Sequence, residues 1–349
     1  MIISAKNELL KYSGRIDHSS SEWARMIYAS SFVKIKFIGN GISVEIENHN
    51  QYWTNFLGVI IDGVQNKVEI SSEKGRKTYI LAENLDFKEH ELILFKRQDA
   101  CHVLDIYSFE ILGNDCEILP CTINNNRRIE VFGDSVSCGE VAEAVDYVGK
   151  SDPEHIGQYS NSWYSYGWIL ARMLGAEIHT TAQGGIALMD GTGYFCGPDY
   201  IGMESVYDKL QYNPQILETS EWDFDLYEPH LAIIAIGQND SHPESFMADD
   251  YDGEKSKLWR AKYEKFIRTL MEFYPRTHFI LITTLLNHDA AWDRAIEDVK
   301  NSISNDRVHH YVFSRNGSAT PGHPRISEAQ EMADELYNYI EEIDDLWSF

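Results

Sequence analysis

The feature that most constrains this chain is a short apolar strand that runs directly into Gly133-Asp134-Ser135. Residues 129–132 favour a strand, and a glycine after them permits a tight turn. Residues 136–145 are then predicted to start a helix whose amide groups surround the Ser135 hydroxyl. This arrangement suits a nucleophilic serine and an oxyanion, although the same residues also fit an ordinary turn followed by a helix N-cap.

Two more strands end in polar or glycine residues. The apolar run 231–236 leads into Gly237-Gln238-Asn239-Asp240, and the run 177–182 leads into Gln183-Gly184-Gly185. Ligands bind at the carboxyl ends of the strands in open α/β sheets. The Asn239 side-chain amide and the exposed amide of Gly184 are therefore candidate donors to an oxyanion.

A histidine late in the chain completes the constellation. His323 lies in the restricted segment Pro321-Gly322-His323-Pro324, just before a predicted helix. A serine early in the chain and a histidine late in it suggest an acyl-transfer enzyme.

The strand and helix patterns divide the chain into two parts. Between residues 33 and 112, short strands with apolar alternation are separated by turn signals such as Asn40-Gly41 and predict a β-sandwich or jelly roll. From residue 127 onward, strands alternate with helices and predict a three-layer α/β domain. The predicted elements of this second part are helices at 163–174 and 258–273, a buried strand at 279–283, and a last helix opened by a capping box at Ser327–Gln330. With 349 residues, two domains are expected, at 1–122 and 123–349.

The ordered set Ser135, Gly184, Asn239 and His323 resembles the four blocks of the SGNH, or GDSL-type, hydrolases. The resemblance covers roughly residues 127–345 and implies the three-layer, flavodoxin-like fold of that superfamily. With an all-β region before it, the chain is most similar to carbohydrate esterase family 2, which includes acetyl xylan and acetyl mannan esterases.

This resemblance implies a serine esterase that removes O-acetyl groups from plant-polysaccharide-derived oligosaccharides of xylan, mannan or glucan type. Ser135 would be the nucleophile of an acetyl-enzyme mechanism and His323 the base. The oxyanion would be held by the amides of Ser135 and Gly184 and by the Asn239 side chain. Trp292, expected in the loop after the strand at 279–283, is a candidate for stacking on a sugar ring.

One position departs from the family pattern. SGNH enzymes usually carry an aspartate two or three residues before the histidine, and here those positions are Pro321 and Thr320. We therefore expect a Ser135–His323 dyad in which a neutral acceptor, such as a backbone carbonyl, orients the imidazole. Asp289 and Asp306 are the carboxylates considered as substitutes.

Composition limits the other classes of function. A formal net charge of −25 disfavours nucleic acid and anionic membrane surfaces as partners. Five cysteines without metal-type spacing indicate neither a disulfide framework nor a metal site, and no cofactor is expected. The amino terminus lacks a signal-peptide pattern, which favours the cytoplasm unless a leader has been removed. The oligomeric state stays open.

Two other functions are compatible with the sequence. The first is a lipid or thioester hydrolase on the same fold, and the second is a carbohydrate-binding protein without catalysis in which the β-rich part binds the sugar. An apolar stripe beside Ser135 would favour the first. Glycan binding that survives the loss of Ser135 would favour the second.

Overall fold

Residues 2–119 form twelve β-strands that pair in two antiparallel sheets, as seen in a computed structural model that describes residues 1–349. The strands of this β-rich half are β1 (Ile2–Ser4), β2 (Lys11–Ser13), β3 (Ile16–Asp17), β4 (Ala24–Met26), β5 (Phe32–Gly39), β6 (Gly41–Asn50), β7 (Asn55–Ile61), β8 (Val64–Ile70), β9 (Lys77–Ala82), β10 (Lys88–Lys96), β11 (His102–Leu112) and β12 (Glu117–Leu119). One sheet has the order β3-β4-β11-β6-β9 with β1 beside β11, and the other has the order β12-β5-β10-β7-β8 with β2 beside β5.

The two sheets enclose one apolar core, so the predicted β-sandwich is confirmed. Ile35 and Phe37 on β5 and Val44 and Ile46 on β6 are buried in the same cluster, although the two strands belong to different sheets. Along β5 the buried positions alternate with partly exposed ones, which is the period of a strand with one face on the core.

The second half is built on a parallel sheet with the order β14-β13-β17-β18-β19. These strands are β13 (Arg128–Gly133), β14 (Glu177–Ala182), β17 (Leu231–Ala235), β18 (His278–Ile282) and β19 (Val308–His310), and a separate small hairpin contains β15 (Lys209–Gln211) and β16 (Ser220–Glu221). The α-helices are α1 (Ser135–Cys138), α2 (Tyr166–Leu174), α3 (Phe246–Asp249), α4 (Glu254–Phe273), α5 (Ala291–Ile303) and α6 (Ile326–Ile340). Short 3-10 turns occupy Val145–Tyr147, Ser162–Tyr164, Met203–Ser205, Phe224–Leu226 and Gln238–Ser241.

Helices cover both faces of this sheet, which confirms the predicted three-layer α/β architecture. Phe132 on β13 belongs to the apolar cluster that contains the buried side chains of α4 and α5. Its neighbour Val131 belongs to the cluster formed with α2 and α6. Successive side chains of one strand therefore support opposite layers, as a strand buried on both faces must.

Four helices differ from the prediction. The helix expected from residue 163 begins at Tyr166, after a 3-10 turn, and the helix expected from residue 258 begins at Glu254. The helix expected over 136–145 is a single turn, because Gly139 adopts a left-handed conformation and its N–H closes the turn on the carbonyls of Ser135 and Val136. The last helix begins at Ile326, and its N-cap lies two residues earlier than expected, at Arg325 instead of Ser327. Its capping box uses Arg325 and Glu328, and the Glu328 carboxylate accepts from the Arg325 N–H at 2.8 Å.

The change from antiparallel to parallel pairing falls between Leu119 and Arg128. That segment contains the expected boundary at residue 122, and a division into two domains stays a prediction. None of the helices combines the length and hydropathy needed to cross a membrane.

A buried ion pair joins the two halves. Arg15, between β2 and β3, donates to Glu130 of β13 at 2.9 Å, and both side chains are almost completely inaccessible to solvent. The same Glu130 carboxylate accepts from the Tyr274 hydroxyl and the Thr181 hydroxyl, each at 2.7 Å. Arg15 also donates to the carbonyl of Tyr207 at 2.7 Å.

We expect Arg15→Ala to lower the free energy of unfolding by about 3–5 kcal/mol, because it leaves the Glu130 carboxylate buried without its cation. Urea denaturation measures this change. The control is Arg76→Ala, which removes an arginine from an exposed pair with Glu22 and should leave the midpoint almost unchanged. Equal midpoints for the two variants would contradict the structural importance of the buried pair.

Candidate active site

The parallel register brings three strand ends to one edge of the sheet. Gly133 at the end of β13 is level with Ala182 in β14 and with Ala235 in β17. The residues that follow these strands include Ser135, Gly184 and Asn239, and they therefore gather at the carboxyl edge of the sheet, where open α/β folds bind ligands.

Asp134 fixes the turn that carries Ser135. Its Oδ1 accepts from the Val136 N–H at 3.0 Å as the cap of α1. Its Oδ2 accepts from the side-chain amides of Gln238 at 2.6 Å and Asn239 at 3.2 Å. Burial raises the pKa of Asp134 to about 6, against the lowering effect of these hydrogen bonds. The turn thus contains both the helix cap and a serine at the strand end.

His323 lies within hydrogen-bond distance of this serine. The Ser135 Oγ and the His323 Nε2 are 2.8 Å apart, and the Ser135 side chain lies in a nearly buried position. With the proton of the imidazole on Nδ1, Nε2 is free to accept from the serine hydroxyl. The pair therefore has the geometry of a nucleophile and its general base.

The expectation that a neutral acceptor orients His323 is wrong, because a carboxylate contacts the imidazole. The His323 Nδ1 lies 2.6 Å from Oδ2 of Asp152, and the His323 backbone N–H donates to Oδ1 of the same residue at 2.9 Å. The site thus has the geometry of a serine–histidine–aspartate triad, not of a dyad. Its acidic member lies 17 residues after the serine in the chain and 171 residues before the histidine.

Gly322 allows the Asp152 loop to approach this closely. A Cβ on Gly322 would lie 2.5 Å from Oδ1 of Asp152 and 2.7 Å from the carbonyl oxygen of Lys150, which is closer than real Cβ atoms come. On the other side, Arg325 pairs with Asp152 at 2.8 Å. The carboxylate is therefore held by a histidine and an arginine at once.

The charges of the site shift the pKa values of Asp152 and His323 in opposite directions. Burial would raise the pKa of Asp152, but hydrogen bonds from His323 and Arg325 and the charge of His323 hold it well below its usual range. Burial would lower the pKa of His323, but the negative charges of Glu140, Asp152 and Asp134 and the bond to Asp152 raise it above its ordinary value.

The two aspartates considered from the sequence have other positions. Asp289 accepts from the Ala291 N–H at 2.8 Å near the start of α5, and Asp306 is exposed before β19. Asp152 carries no local signal that the sequence analysis could use, because its partner is distant in the chain and the loop that holds it has no periodic pattern.

The expected oxyanion donors lie at the site and face protein acceptors. The Gly184 N–H donates to Oδ2 of Asp99 at 2.8 Å, whereas the adjacent Gly185 N–H has no backbone acceptor. The Asn239 amide donates to the Ile186 carbonyl at 2.9 Å as well as to Asp134. The roles of Gly184 and Asn239 towards an oxyanion therefore stay predictions.

A second acidic pair lies beside the site. A Cβ on Gly184 would lie 2.7 Å from Oδ2 of Asp99 and 2.8 Å from Oε2 of Glu140, so the two carboxyl groups converge on one point. Burial raises the pKa of Glu140 to about 7, with further raising by the charges of Asp99, Asp152 and Asp134, while the charge of His323 acts against it. Asp99 lies in the turn between β10 and β11, so one of the two carboxyl groups next to Gly184 comes from the β-rich half.

The expectation for Trp292 is wrong. Trp292 is 1% exposed and lies in α5 instead of a loop. Its ring packs edge-on against Phe246 at 5.2 Å and Trp259 at 5.3 Å between ring centroids. Because the amphipathic helix begins at Ala291, it turns this side chain into the core, where no sugar can reach it.

Comparisons with known proteins agree with this architecture. Residues 12–120 match the family described as carbohydrate esterase 2 N-terminal. The chain is 27% identical over 343 residues to the cellulase/esterase CelE of Acetivibrio thermocellus, covering 95% of this chain and 39% of that protein. It is 25% identical over 348 residues to the acetylxylan esterase/glucomannan deacetylase of Cellvibrio japonicus, covering 98% of this chain and 91% of that protein. The chain thus spans about two fifths of the first relative and most of the second.

Solved structures of family two carbohydrate esterases share the fold. The enzyme from Cellvibrio japonicus superimposes with a TM-score of 0.82 at 23% identity, covering 100% of this chain and 99% of that one. The enzyme from Clostridium thermocellum in complex with cellohexaose gives a TM-score of 0.79 at 23% identity, covering 95% and 98%.

The fold, with a serine hydrogen-bonded to a histidine at the carboxyl edge of the parallel sheet, is the fold of the family two carbohydrate esterases. In sequence as well, the chain is similar to carbohydrate esterases of family 2, as its motifs indicated.

The electrostatics of the site predict the titration of His323. In an NMR titration of the histidine Cε1–H signals, its pKa should lie above the ordinary value of 6.5. Glu140→Gln should lower it, since the substitution removes a negative charge that favours the imidazolium. Glu89→Gln, on the exposed surface of β10, is the control and should leave it unchanged. An identical titration in both variants would contradict the assigned influence of Glu140.

Proposed function

We propose that this chain removes O-acetyl groups from plant-polysaccharide-derived oligosaccharides through an acetyl-enzyme intermediate. The observation that carries the proposal is the contact chain from Ser135 through His323 to Asp152, with distances of 2.8 and 2.6 Å. The two activities named for the relative from Cellvibrio japonicus, acetylxylan esterase and glucomannan deacetylase, support the acetyl ester as the bond that is cleaved.

The first half of the reaction forms the acetyl-enzyme. His323 Nε2 takes the proton of the Ser135 hydroxyl as its oxygen attacks the acetyl carbonyl, and the carbonyl oxygen becomes an oxyanion. The imidazolium is stabilised by Asp152, which also holds the Nδ1–H tautomer. His323 then returns the proton to the sugar oxygen as the bond to the acetyl group breaks, and the sugar leaves with a free hydroxyl.

The second half releases acetate. His323 takes a proton from water, the resulting hydroxide attacks the acetyl carbonyl on Ser135, and collapse of the second oxyanion returns the proton to the serine oxygen. In both halves the donors proposed for the oxyanion are the amide of Ser135 at the start of α1, the Gln183-Gly184-Gly185 turn and the Asn239 side chain. Since Asp99 accepts from Gly184, that amide contributes only if substrate displaces the carboxylate, whereas the amide of Gly185 needs no such change.

The surroundings of Ser135 support a polar substrate over a lipid. Gln238 and Asn239 donate to Asp134 next to Ser135, and the charges of Asp134 and Glu140 act on His323, so polar and charged groups lie beside the serine. Tyr194 offers an aromatic surface in place of Trp292. Tyr194 is 58% exposed. Its backbone N–H donates to the Gly185 carbonyl at 2.8 Å, which places it beside the Gly184 turn, and its ring stacks on that of His242 with 4.1 Å between centroids.

We expect Asp152→Asn to lower kcat by about 10³- to 10⁴-fold, because an amide cannot stabilise the imidazolium as a carboxylate does. Acetate release from acetylated xylo-, manno- and cello-oligosaccharides measures the effect. Asp289→Asn and Asp306→Asn are the matched controls and should retain full turnover. If kcat of folded Asp152→Asn falls by less than about tenfold, the result would favour a Ser135–His323 dyad over the triad.

Ser135→Ala and His323→Ala should each lower acetate release by several orders of magnitude, with a double variant no worse than the single ones, because the two residues act as a unit. Circular dichroism checks that each variant is folded. Ordinary turnover in either folded variant would rule out the serine mechanism. Retained sugar binding without any turnover in the wild type would instead favour the non-catalytic binding protein.

For Asn239→Ala we expect kcat to fall by about 10²- to 10³-fold with little change in KM, since an oxyanion donor acts mainly on the transition state. Steady-state kinetics with an acetylated xylo-oligosaccharide separates the two constants. An effect on KM alone would show that Asn239 binds the ground-state substrate.

A further inference from the structure

We propose that a cleft on the β-sandwich, which begins at Trp53, binds the saccharide chain of the substrate beyond its acetylated residue. This inference rests on the proposed esterase function and adds to it a role for the β-rich half. The cleft has a volume of about 550 Å³ and opens along β7, β8 and β9. We refer to it as the Trp53 cleft, lined by Trp53, Asn55, Glu69, Ser71, Glu73 and Tyr79.

Trp53 lies where the cleft meets the catalytic loops. It is part of the connection between β6 and β7, and its ring makes an edge contact with His155 at 5.1 Å between centroids. His155 is three residues after Asp152, and its titration responds to the charges of Asp152 and His323, although burial is the largest cause of its lowered pKa. The tryptophan also borders the small space next to Asp99 and Glu140. Trp53 therefore connects the cleft with the segment that follows Asp152 and with the carboxyl groups beside the candidate active site.

Backbone contacts join the connection that contains Trp53 to the segment that follows Asp152. The Thr54 N–H donates to the Ile156 carbonyl at 2.9 Å. At Gly157, which has a φ of +97°, a Cβ would lie 2.7 Å from the Thr54 carbonyl oxygen and 3.2 Å from the Cβ of Trp53. Lys67 of β8 adds a bond to the Gln158 carbonyl at 2.8 Å. The position of Trp53 relative to the Asp152 loop is thus set by close backbone packing.

The backbone of Trp53 is strained. Its φ is +63°, a left-handed conformation that is a genuine outlier for a bulky side chain. Such strain costs about 1–3 kcal/mol and tends to persist where the orientation of a side chain serves binding or catalysis. A tryptophan that remains partly exposed at this cost points to a binding role.

The lining of the cleft has the chemistry that recognises sugars. Trp53 and Tyr79 supply aromatic rings against which the C–H face of a pyranose can pack. Glu69 is exposed on β8, and Glu73 lies beyond it with Lys77 as its partner. Carboxylates accept hydrogen bonds from sugar hydroxyl groups, whereas they repel phosphate and other anionic ligands. The ligand class is therefore a neutral oligosaccharide, which is also the class of the proposed substrate.

The test compares a long substrate with a short one. An acetylated xylo-oligosaccharide can fill the Trp53 cleft, and 4-nitrophenyl acetate reaches only Ser135. For Trp53→Ala we expect the ratio of kcat/KM for the oligosaccharide to that for 4-nitrophenyl acetate to fall about tenfold, mainly through KM, as the loss of one aromatic contact implies. Trp53→Phe should recover most of the ratio.

Trp23→Ala is the matched control. Trp23 is another partly exposed tryptophan of the β-sandwich, which lies under the Arg25 guanidinium at 4.1 Å and outside the Trp53 cleft, so the ratio should not change. If Trp53→Ala fails to fold, Glu69→Gln provides the second variant, for which we expect a fall of about threefold or more from a weakened hydrogen bond.

The outcomes separate the two proposals. An unchanged ratio in folded Trp53→Ala or Glu69→Gln, or an equal fall for both substrates, would overturn the role of the cleft, because the residue would then support only the Asp152 loop. Absence of acetate release by the wild type from either substrate would instead overturn the proposed esterase function.

Discussion

The parallel pairing of β13 with β14 on one side and β17 on the other is the constraint on which the site depends. Gly133, Ala182 and Ala235 are level in this sheet, so three separate segments of the chain end at one edge. A shift in register would move these ends apart by a residue and turn each side chain to the opposite layer. The serine turn, the glycine turn and the Asn239 turn can meet only while the apolar clusters on both faces hold that register.

An unusual number of carboxyl groups surrounds the histidine. Asp152 is bonded to it, and Asp134 and Glu140 raise its pKa through their charge. Burial raises the pKa of Asp134 to about 6 and that of Glu140 to about 7, so the charge of Glu140 is the one that changes most around neutral pH. Arg325, fully buried against Asp152, offsets part of the negative charge. The result is an imidazole that is a stronger base than free histidine and loses its basicity only as the pH falls through its raised pKa.

The β-sandwich is integrated with the catalytic half. Arg15 reaches the buried Glu130 in the middle of β13, Asp99 binds the turn at Gly184, and Trp53 packs on the loop that carries Asp152. These contacts fix the position of the β-rich half relative to the carboxyl edge of the parallel sheet.

The sequence by itself determined the layer architecture and the serine and histidine positions, because strand period, glycine turns and the proline-bounded histidine loop are local patterns that act wherever they occur. Tertiary structure alone decided the partner of His323, because Asp152 approaches it from 171 residues away across a glycine that leaves room for its loop. Tertiary structure also decided the position of Trp292. The sequence of residues 287–293 is typical of a loop, but packing against Trp259 and Phe246 places this side chain in the core. Local patterns encode elements and their ends, whereas burial and charge pairing depend on which elements meet.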